Sequence, residues 1–177
     1  KELGSQKLHD VFNLETQLFP CLIDMKFKGV RVDVEKAHDL KKTLILKEKK
    51  LLLEIKNETG IDVQLMAARS VAKVFDKLKL KYETTAVSKA PSFTKNYLSK
   101  HPHPIVKKIA QAREVNKSHS TFIDSILRFT HKGRIHADIN PIRSDSGGTV
   151  TGRFSYSNPN LQQIPARNKE LGPLIRS

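Results

Sequence analysis

The stretch from Asp33 to Gly60 constrains the fold most. Asp33 is a good N-cap residue with Glu35 in the first turn behind it, and Gly60 supplies a left-handed stop. Between them Ala37, Leu40, Leu44, Leu51 and Ile55 recur at three-, four- and seven-residue intervals, which gathers them on one face of a helix ending near Thr59. Lys41, Lys42, Lys47, Lys49, Lys50 and Lys56 cover much of the remaining surface. A one-sided apolar stripe must be buried against another element.

Partners for it are visible along the chain. Val11, Leu14, Leu18, Leu22 and Met25 mark a helix over residues 11–28, closed by Gly29 and followed by the short extended piece Val30-Arg31-Val32. Cys21, the only cysteine, lies among Phe19, Leu22 and Ile23 and is expected to be a small buried apolar residue. A second amphipathic helix spans Ala67–Leu78, with Val71, Val74, Phe75 and Leu78 on one face. Lys81–Pro91 reads as a loop, Ser92 as the cap of a short helix to Ser99, and His101-Pro102-His103-Pro104 as a break. Pro104 is placed to begin a further helix, striped by Ile105, Ile109, Ala112, His119, Phe122, Ile123 and Ile126. After Lys132-Gly133 the period changes to two, with Ile135, Ala137 and Ile139 alternating as in a strand. Helices first and a small antiparallel β element last make the fold class α+β.

Charge narrows the function. The net charge is +14, and it is uneven: residues 1–60 hold 12 basic and 10 acidic side chains, residues 61–130 hold 13 and 5, and residues 131–177 hold 7 and 3. An excess of that size points to a polyanionic partner, most often nucleic acid and sometimes an anionic membrane. A lone cysteine excludes a disulfide framework and suits a reducing, intracellular setting. No apolar run has the length to cross a bilayer, so no membrane partner is expected. The chain opens without Met and stops at Ile175-Arg176-Ser177 without a helix-stop signal, so it is expected to be a piece of a longer protein.

Several constellations invite chemistry. Asp33-Val34-Glu35 has the D-x-E spacing of two-metal nuclease sites, but at a helix start it reads as a cap and a first-turn acid. His101, His103, His119, His131 and His136 have neither helical i,i+4 pairing nor cysteine partners, and no metal site is expected. Arg113 and Lys117 lie one helical turn apart beside the hydroxyls of Ser118, Ser120 and Thr121. Such a mixture suits phosphate oxygens; a merely solvated face stays open as the alternative.

The segment VTGRFSYSNPNLQQIPAR, Val150–Arg167, holds two arginines, two asparagines and two glutamines but no lysine and no acid. Asn158-Pro159-Asn160 favours a tight turn that Ser155 and Ser157 could cap. The other reading is a minor-groove reader. Base pairs present acceptors, purine N3 or pyrimidine O2, at nearly equivalent minor-groove positions, so donors there would grip any well-shaped pair whatever its sequence.

At this point the chain resembles the family A DNA polymerases. TGRFSYSNPNLQQIPAR is similar to the family's TGRLSS-x-x-PNLQNIPVR segment. GVRVD at Gly29–Asp33, FDKLKL at Phe75–Leu80, HPIV at His103–Val106, ARE with Lys117, STFID at Ser120–Asp124 and GRIH at Gly133–His136 match in the family's order. Phe154, Tyr156 and Gln163 stand where Leu, Ser and Asn are commoner, and Ala67-Ala68 replaces a Ser-Pro pair at the thumb tip.

The resemblance implies a helix entering the polymerase domain at 1–28, a thumb of long antiparallel helices at 29–130 and the beginning of the palm at 131–177. It implies phosphate contacts by Arg113 and Lys117, with Thr121 beside them. It also implies minor-groove contacts near the primer terminus by Arg153, Asn160 and Gln162, with Gln163 next to them, and a place beside the DNA for Arg167. The expected partners are primer–template DNA and, for the intact enzyme, deoxynucleoside triphosphates and Mg²⁺. The intact enzyme is expected to be a monomer of the bacterial or phage-infected cytoplasm. Asp138 and Asp145 do not match the family's metal-binding aspartates, so this piece alone is expected to be inactive. The rivals are a stand-alone basic nucleic-acid-binding protein and a polymerase-like accessory protein without a catalytic half.

Overall fold

The computed structural model describes residues 2–143, 147–164, 173 and 175. They fall into two compact units, one of residues 38–123 and one that joins residues 1–37 to 124–177. The architecture is α+β, as the pattern of periods predicts.

The 38–123 unit is built on α3 (Val34–Thr59). The predicted ends hold: the Lys36 amide donates to Asp33 Oδ1 at 3.0 Å, and Gly60 takes φ +72°. Leu44, Leu51 and Ile55 are buried, as their spacing requires. Against α3 runs α6 (Pro104–Lys117), started by Pro104 in its first turn. Lys108 near the start of α6 reaches Glu54 and Glu58 at 2.9 and 2.6 Å, and the chain beyond α6 meets Glu48 through His119 at 2.5 Å. Rising numbers on one helix meet falling numbers on the other, so the pair is antiparallel.

Helix α4 (Ala68–Lys77) brings Phe75 into the centre of this unit, fully buried. The Tyr82 ring stands edge-on to it at 6.0 Å and the Phe93 ring is tilted against it at 4.7 Å. The expected loop at Lys81–Pro91 contains a small hairpin instead, β2 (Glu83–Thr84) paired with β3 (Pro91–Ser92). Ser92 is therefore committed to a strand, and the cap of the next helix, α5 (Lys95–Lys100), falls to Thr94, whose hydroxyl accepts from the Tyr97 amide at 3.2 Å. After α6 the helix widens into one π-helical segment, Ser118–Ile123, before α7 (Asp124–Phe129). Ser118 and Ser120 each donate to the carbonyl four residues back, at 2.8 Å. Hydroxyls bonded in this way disturb a regular α-helix.

The other unit begins with α1 (Glu2–Ser5) and α2 (His9–Lys28). The helix predicted over 11–28 is present, but the expectation of a buried Cys21 fails. Of the predicted stripe only Leu22 is buried, while Val11, Leu14 and Met25 are exposed, and Cys21 is exposed as well. Phe12, Phe19, Ile23 and Phe27 are also exposed, so α2 is apolar on several sides and its periodicity does not single out the covered one.

Gly29 closes α2 at φ 62° and ψ 178°, a region essentially confined to glycine. An added Cβ there would lie 2.7 Å from the Ile135 carbonyl oxygen and 2.8 Å from the His136 ring. This close approach lets β1 (Val30–Arg31) pair with β5 (Arg134–Ile135), which in turn pairs with β4 (Thr130–His131) in one antiparallel sheet. Lys132 and Gly133, both with positive φ, make the two-residue turn between β4 and β5. The predicted single strand of Ile135, Ala137 and Ile139 is divided: β6 (Asp138–Asn140) leaves the first sheet and pairs with β7 (Ser155–Ser157).

Candidate nucleic-acid interface

The predicted site residues occur in both units, and each group is described on its own. In the 38–123 unit, Arg113 is half-buried on α6. Its Nε donates to the Leu65 carbonyl at 2.7 Å and its Nη1 to the Phe93 carbonyl at 2.8 Å. Burial pushes its pKa below the ordinary guanidinium value, although an arginine stays charged throughout the usable pH range. The side chain thus ties α6 to the segments before α4 and before α5. Lys117, one turn on, is exposed, with Nζ 5.7 Å from the Phe122 ring centroid in cation–π range. Thr121 is exposed; Ser118 is buried. These two cations of α6 therefore differ in kind: Arg113 is anchored to backbone carbonyls and Lys117 is open to solvent.

In the other unit, Arg153, Asn160, Gln162 and Gln163 are all exposed, whereas Phe154, Tyr156, Leu161 and Ile164 are half-buried and Pro159 is buried. Apolar side chains hold the segment down and polar ones face outward. Its backbone is fixed by its own side chains. Thr149 donates to the Arg153 carbonyl at 2.6 Å, and the Gly148 amide donates to Ser155 Oγ at 3.1 Å. Gly148 must be glycine: a Cβ there would come within 2.0 Å of the Ile142 carbonyl oxygen.

Ser155 and Ser157 do not cap the Asn158-Pro159-Asn160 turn. They belong to β7, and Asn140 Nδ2 donates to Ser157 Oγ at 3.3 Å. Asn160 does the capping, its Oδ1 accepting from the Gln162 amide at 3.1 Å at the start of a 3₁₀ turn, Leu161–Gln163. Gln162 Nε2 donates to the Phe154 carbonyl at 2.9 Å and so ties this turn to the neighbourhood of Arg153. Arg167 lies outside the described residues.

Spacing could not reveal the group beneath this turn. Asp138 accepts from Lys26 Nζ through Oδ1 at 2.6 Å and from Asn158 Nδ2 through Oδ2 at 2.9 Å. The Lys26 ammonium first, and then the Asn158 amide, hold its carboxyl below the usual aspartate range. Lys26 and Asp138 are 112 residues apart, and no local signal links them.

Known proteins resemble the chain over nearly its whole length. The chain is 31% identical over 179 residues to the DNA-directed DNA polymerase of Pseudomonas phage M6, covering 96% of this chain and 27% of that protein. It is 34% identical over 197 residues to the DNA polymerase DpoZ of Salmonella phage PMBT28, covering 99% and 31%. It is 33% identical over 184 residues to the thermostable DNA polymerase I of Thermus thermophilus, covering 98% and 21%. The chain thus spans about a third or less of these relatives' length. Among solved structures, the polymerase domain of Pol1 from M. smegmatis, in complex with DNA primer-template and dNTP, superposes with a TM-score of 0.77 over 97% of this chain and 31% of that one. At 24% identity that likeness speaks for the fold. The sequence profile of DNA polymerase family A matches residues 34–177, so the chain belongs to that family.

Proposed function

We propose that this chain is the DNA-gripping part of a DNA-directed DNA polymerase that extends a primer on a DNA template. The thumb, residues 29–130, holds the sugar–phosphate backbone through Lys117, with Thr121 and the remaining N–H groups of Arg113 beside it. The segment from Arg153 to Gln163, with Arg167 after it, faces the minor groove at the primer terminus. One observation supports this best: four exposed side chains with hydrogen-bond donors, Arg153, Asn160, Gln162 and Gln163, stand on a segment whose apolar residues are turned inward.

Neutral amides and a guanidinium suit the acceptors common to all base pairs, so such a surface responds to pair geometry rather than to sequence. It would raise the rate from well-paired ends, because donors aimed at fixed acceptor positions stabilise only the aligned terminus. The resemblance assigns nucleotidyl transfer to Mg²⁺ ions on paired carboxylates. Among the described residues no three or more His, Cys, Asp or Glu side chains gather to hold a metal, and no step at a metal is assigned to this chain. Deoxynucleotide binding likewise belongs to other parts of the enzyme, which would work as a monomer in the bacterial or phage-infected cytoplasm. Among the described residues no helix is long and apolar enough to cross a membrane.

The test is Arg153→Ala in the full-length polymerase, on primers ending in a natural purine or in its 3-deaza analogue, which lacks the minor-groove N3 acceptor. The parent enzyme should extend the 3-deaza end more slowly, and the variant should be slow on both ends, with the difference between them largely gone. A variant that keeps the parent's full preference for the natural purine refutes the assignment of Arg153.

A further inference from the structure

We propose that Asp138 is a positioning residue for the minor-groove turn, holding Asn158 so that Asn160 and Gln162 face the primer terminus; this rests on the reading of that turn given above. The geometry is a short relay within one compact unit. Lys26 comes from α2, and the His136 ring is hydrogen-bonded to its carbonyl at 2.8 Å. Its ammonium takes one oxygen of Asp138, which leaves the other directed at the Asn158 amide. Asp138 is also the register partner of Ser157, at the end of the β6–β7 ladder. The next residue, Asn158, is where the chain leaves the ladder, at φ +52°. Two residues later Asn160 caps the 3₁₀ turn, and Gln162 reaches back to Phe154. The Asp138–Asn158 bond thus fixes the point at which the donor-bearing turn departs from the sheet.

The side chain of Asp138 is 38% exposed and that of Lys26 52%. A pair this open contributes little to global stability. A bond that adds little stability can still set a position: donors that read shape must be held within about half an ångström, and a misplacement of about 1 Å can cost on the order of a hundredfold in rate. The arrangement therefore predicts a variant that folds normally and reads the terminus poorly.

The experiment uses the full-length polymerase and exchanges donor and acceptor. Asn158→Asp sets two carboxylates against each other. The double variant Asp138→Asn with Asn158→Asp restores the bond in the opposite sense, and the amide oxygen introduced in β6 can still accept from Lys26. The readouts are kcat/KM for extending a natural against a 3-deaza terminal purine, and the melting temperature. The single variant should lose on the order of tenfold on the natural end, together with most of the preference for it, while melting close to the parent. The double variant should regain both. Asp138→Ala serves as the single lesion if Asn158→Asp does not fold.

An unchanged preference in both single variants, or a double variant no better than the single, overturns the role of Asp138. Gln162→Ala separates the two levels of the argument. If it leaves the preference intact, Gln162 does not read the minor groove and Asp138 loses its role with it, whatever Arg153→Ala shows. If it abolishes the preference while the lesions at 138 and 158 do not, only the positioning role fails.

Discussion

Replacing Arg113 by Ala separates a structural role from a DNA-contact role in one variant. Its guanidinium donates to Leu65 O at 2.7 Å and Phe93 O at 2.8 Å. Hydrogen bonds from a charged group contribute about 1.5–3 kcal/mol each. The residue is half-buried, so water can take over part of both bonds once the side chain is gone; halving the sum leaves a loss of about 1.5–3 kcal/mol. For a chain of 177 residues that lowers the melting temperature by roughly 3–12 °C. Arg113→Lys should recover less than half of it, because one ammonium cannot serve two carbonyls with the fixed fork of a guanidinium. Calorimetry or circular dichroism melts of the two variants measure this directly. If Arg113→Ala melts within about 2 °C of the parent, the tie is energetically idle and Arg113 is free for phosphate contact alone. If the melt falls as expected and primer–template affinity also falls at temperatures where the variant is folded, the guanidinium serves both purposes through different N–H groups.

Gly29→Ala puts a side chain into a glycine-only backbone region and 2.7 Å from the Ile135 carbonyl oxygen; it should cost at least about 2 kcal/mol, and an unchanged thermal melt would contradict the close approach of α2 to β5. Lys117→Ala should weaken DNA binding equally across duplex sequences and lower the salt slope of log K by about one; filter binding over a salt series shows this, and a sequence-dependent loss refutes the phosphate role. Because Asp138 titrates below its unfolded range, its pairing with Lys26 stabilises the fold above about pH 4 and is lost as the pH falls through the folded value. The difference in melting temperature between Lys26→Met and the parent, small for so open a pair, should therefore be present at pH 7 and close only as the pH falls below the ordinary aspartate range, and a constant difference across the acid range refutes the pairing.

What could be read from the sequence depended on how local the determining interaction was. Both ends of α3 were legible because Asp33 and Gly60 act within one turn of themselves. The cap of α5 falls at Thr94 rather than at Ser92 for the opposite reason. Ser92 and Thr94 are equally good caps locally, and the choice is made by the pairing of Ser92 with Glu83 across a hairpin. Alternation at Ile135, Ala137 and Ile139 disclosed extended chain but not its division between two sheets. Cys21 is exposed despite its apolar neighbours in sequence, because such a neighbourhood does not bury a residue on a helix that is apolar on several sides. At the site, the residue types of the 150–167 segment carried the reading. The clamp made by Arg113 and the relay through Asp138 link segments far apart in sequence and leave no periodic trace.

The internal bonds of the 150–164 segment also leave donors available at its surface. Asn160 uses its Oδ1 to cap the 3₁₀ turn, which leaves its Nδ2 free to donate outward. Gln162 uses one Nε2 hydrogen on Phe154 O and retains the other. Arg153 keeps its guanidinium exposed, with its backbone carbonyl already bonded to Thr149. A surface arranged in this way matches groups that only accept, as N3 and O2 in the minor groove do. It also divides two tasks that a lysine-rich surface would confuse. Lysines attract DNA through released counterions, so their contribution falls with salt and ignores geometry. Neutral amides attract little at a distance and bond only when aligned. Gln162→Ala should accordingly reduce discrimination at the primer terminus without altering the salt slope, and Lys117→Ala should do the reverse. If both variants change the same quantity, gripping and reading are one function of one surface, and charge and exposure do not divide them.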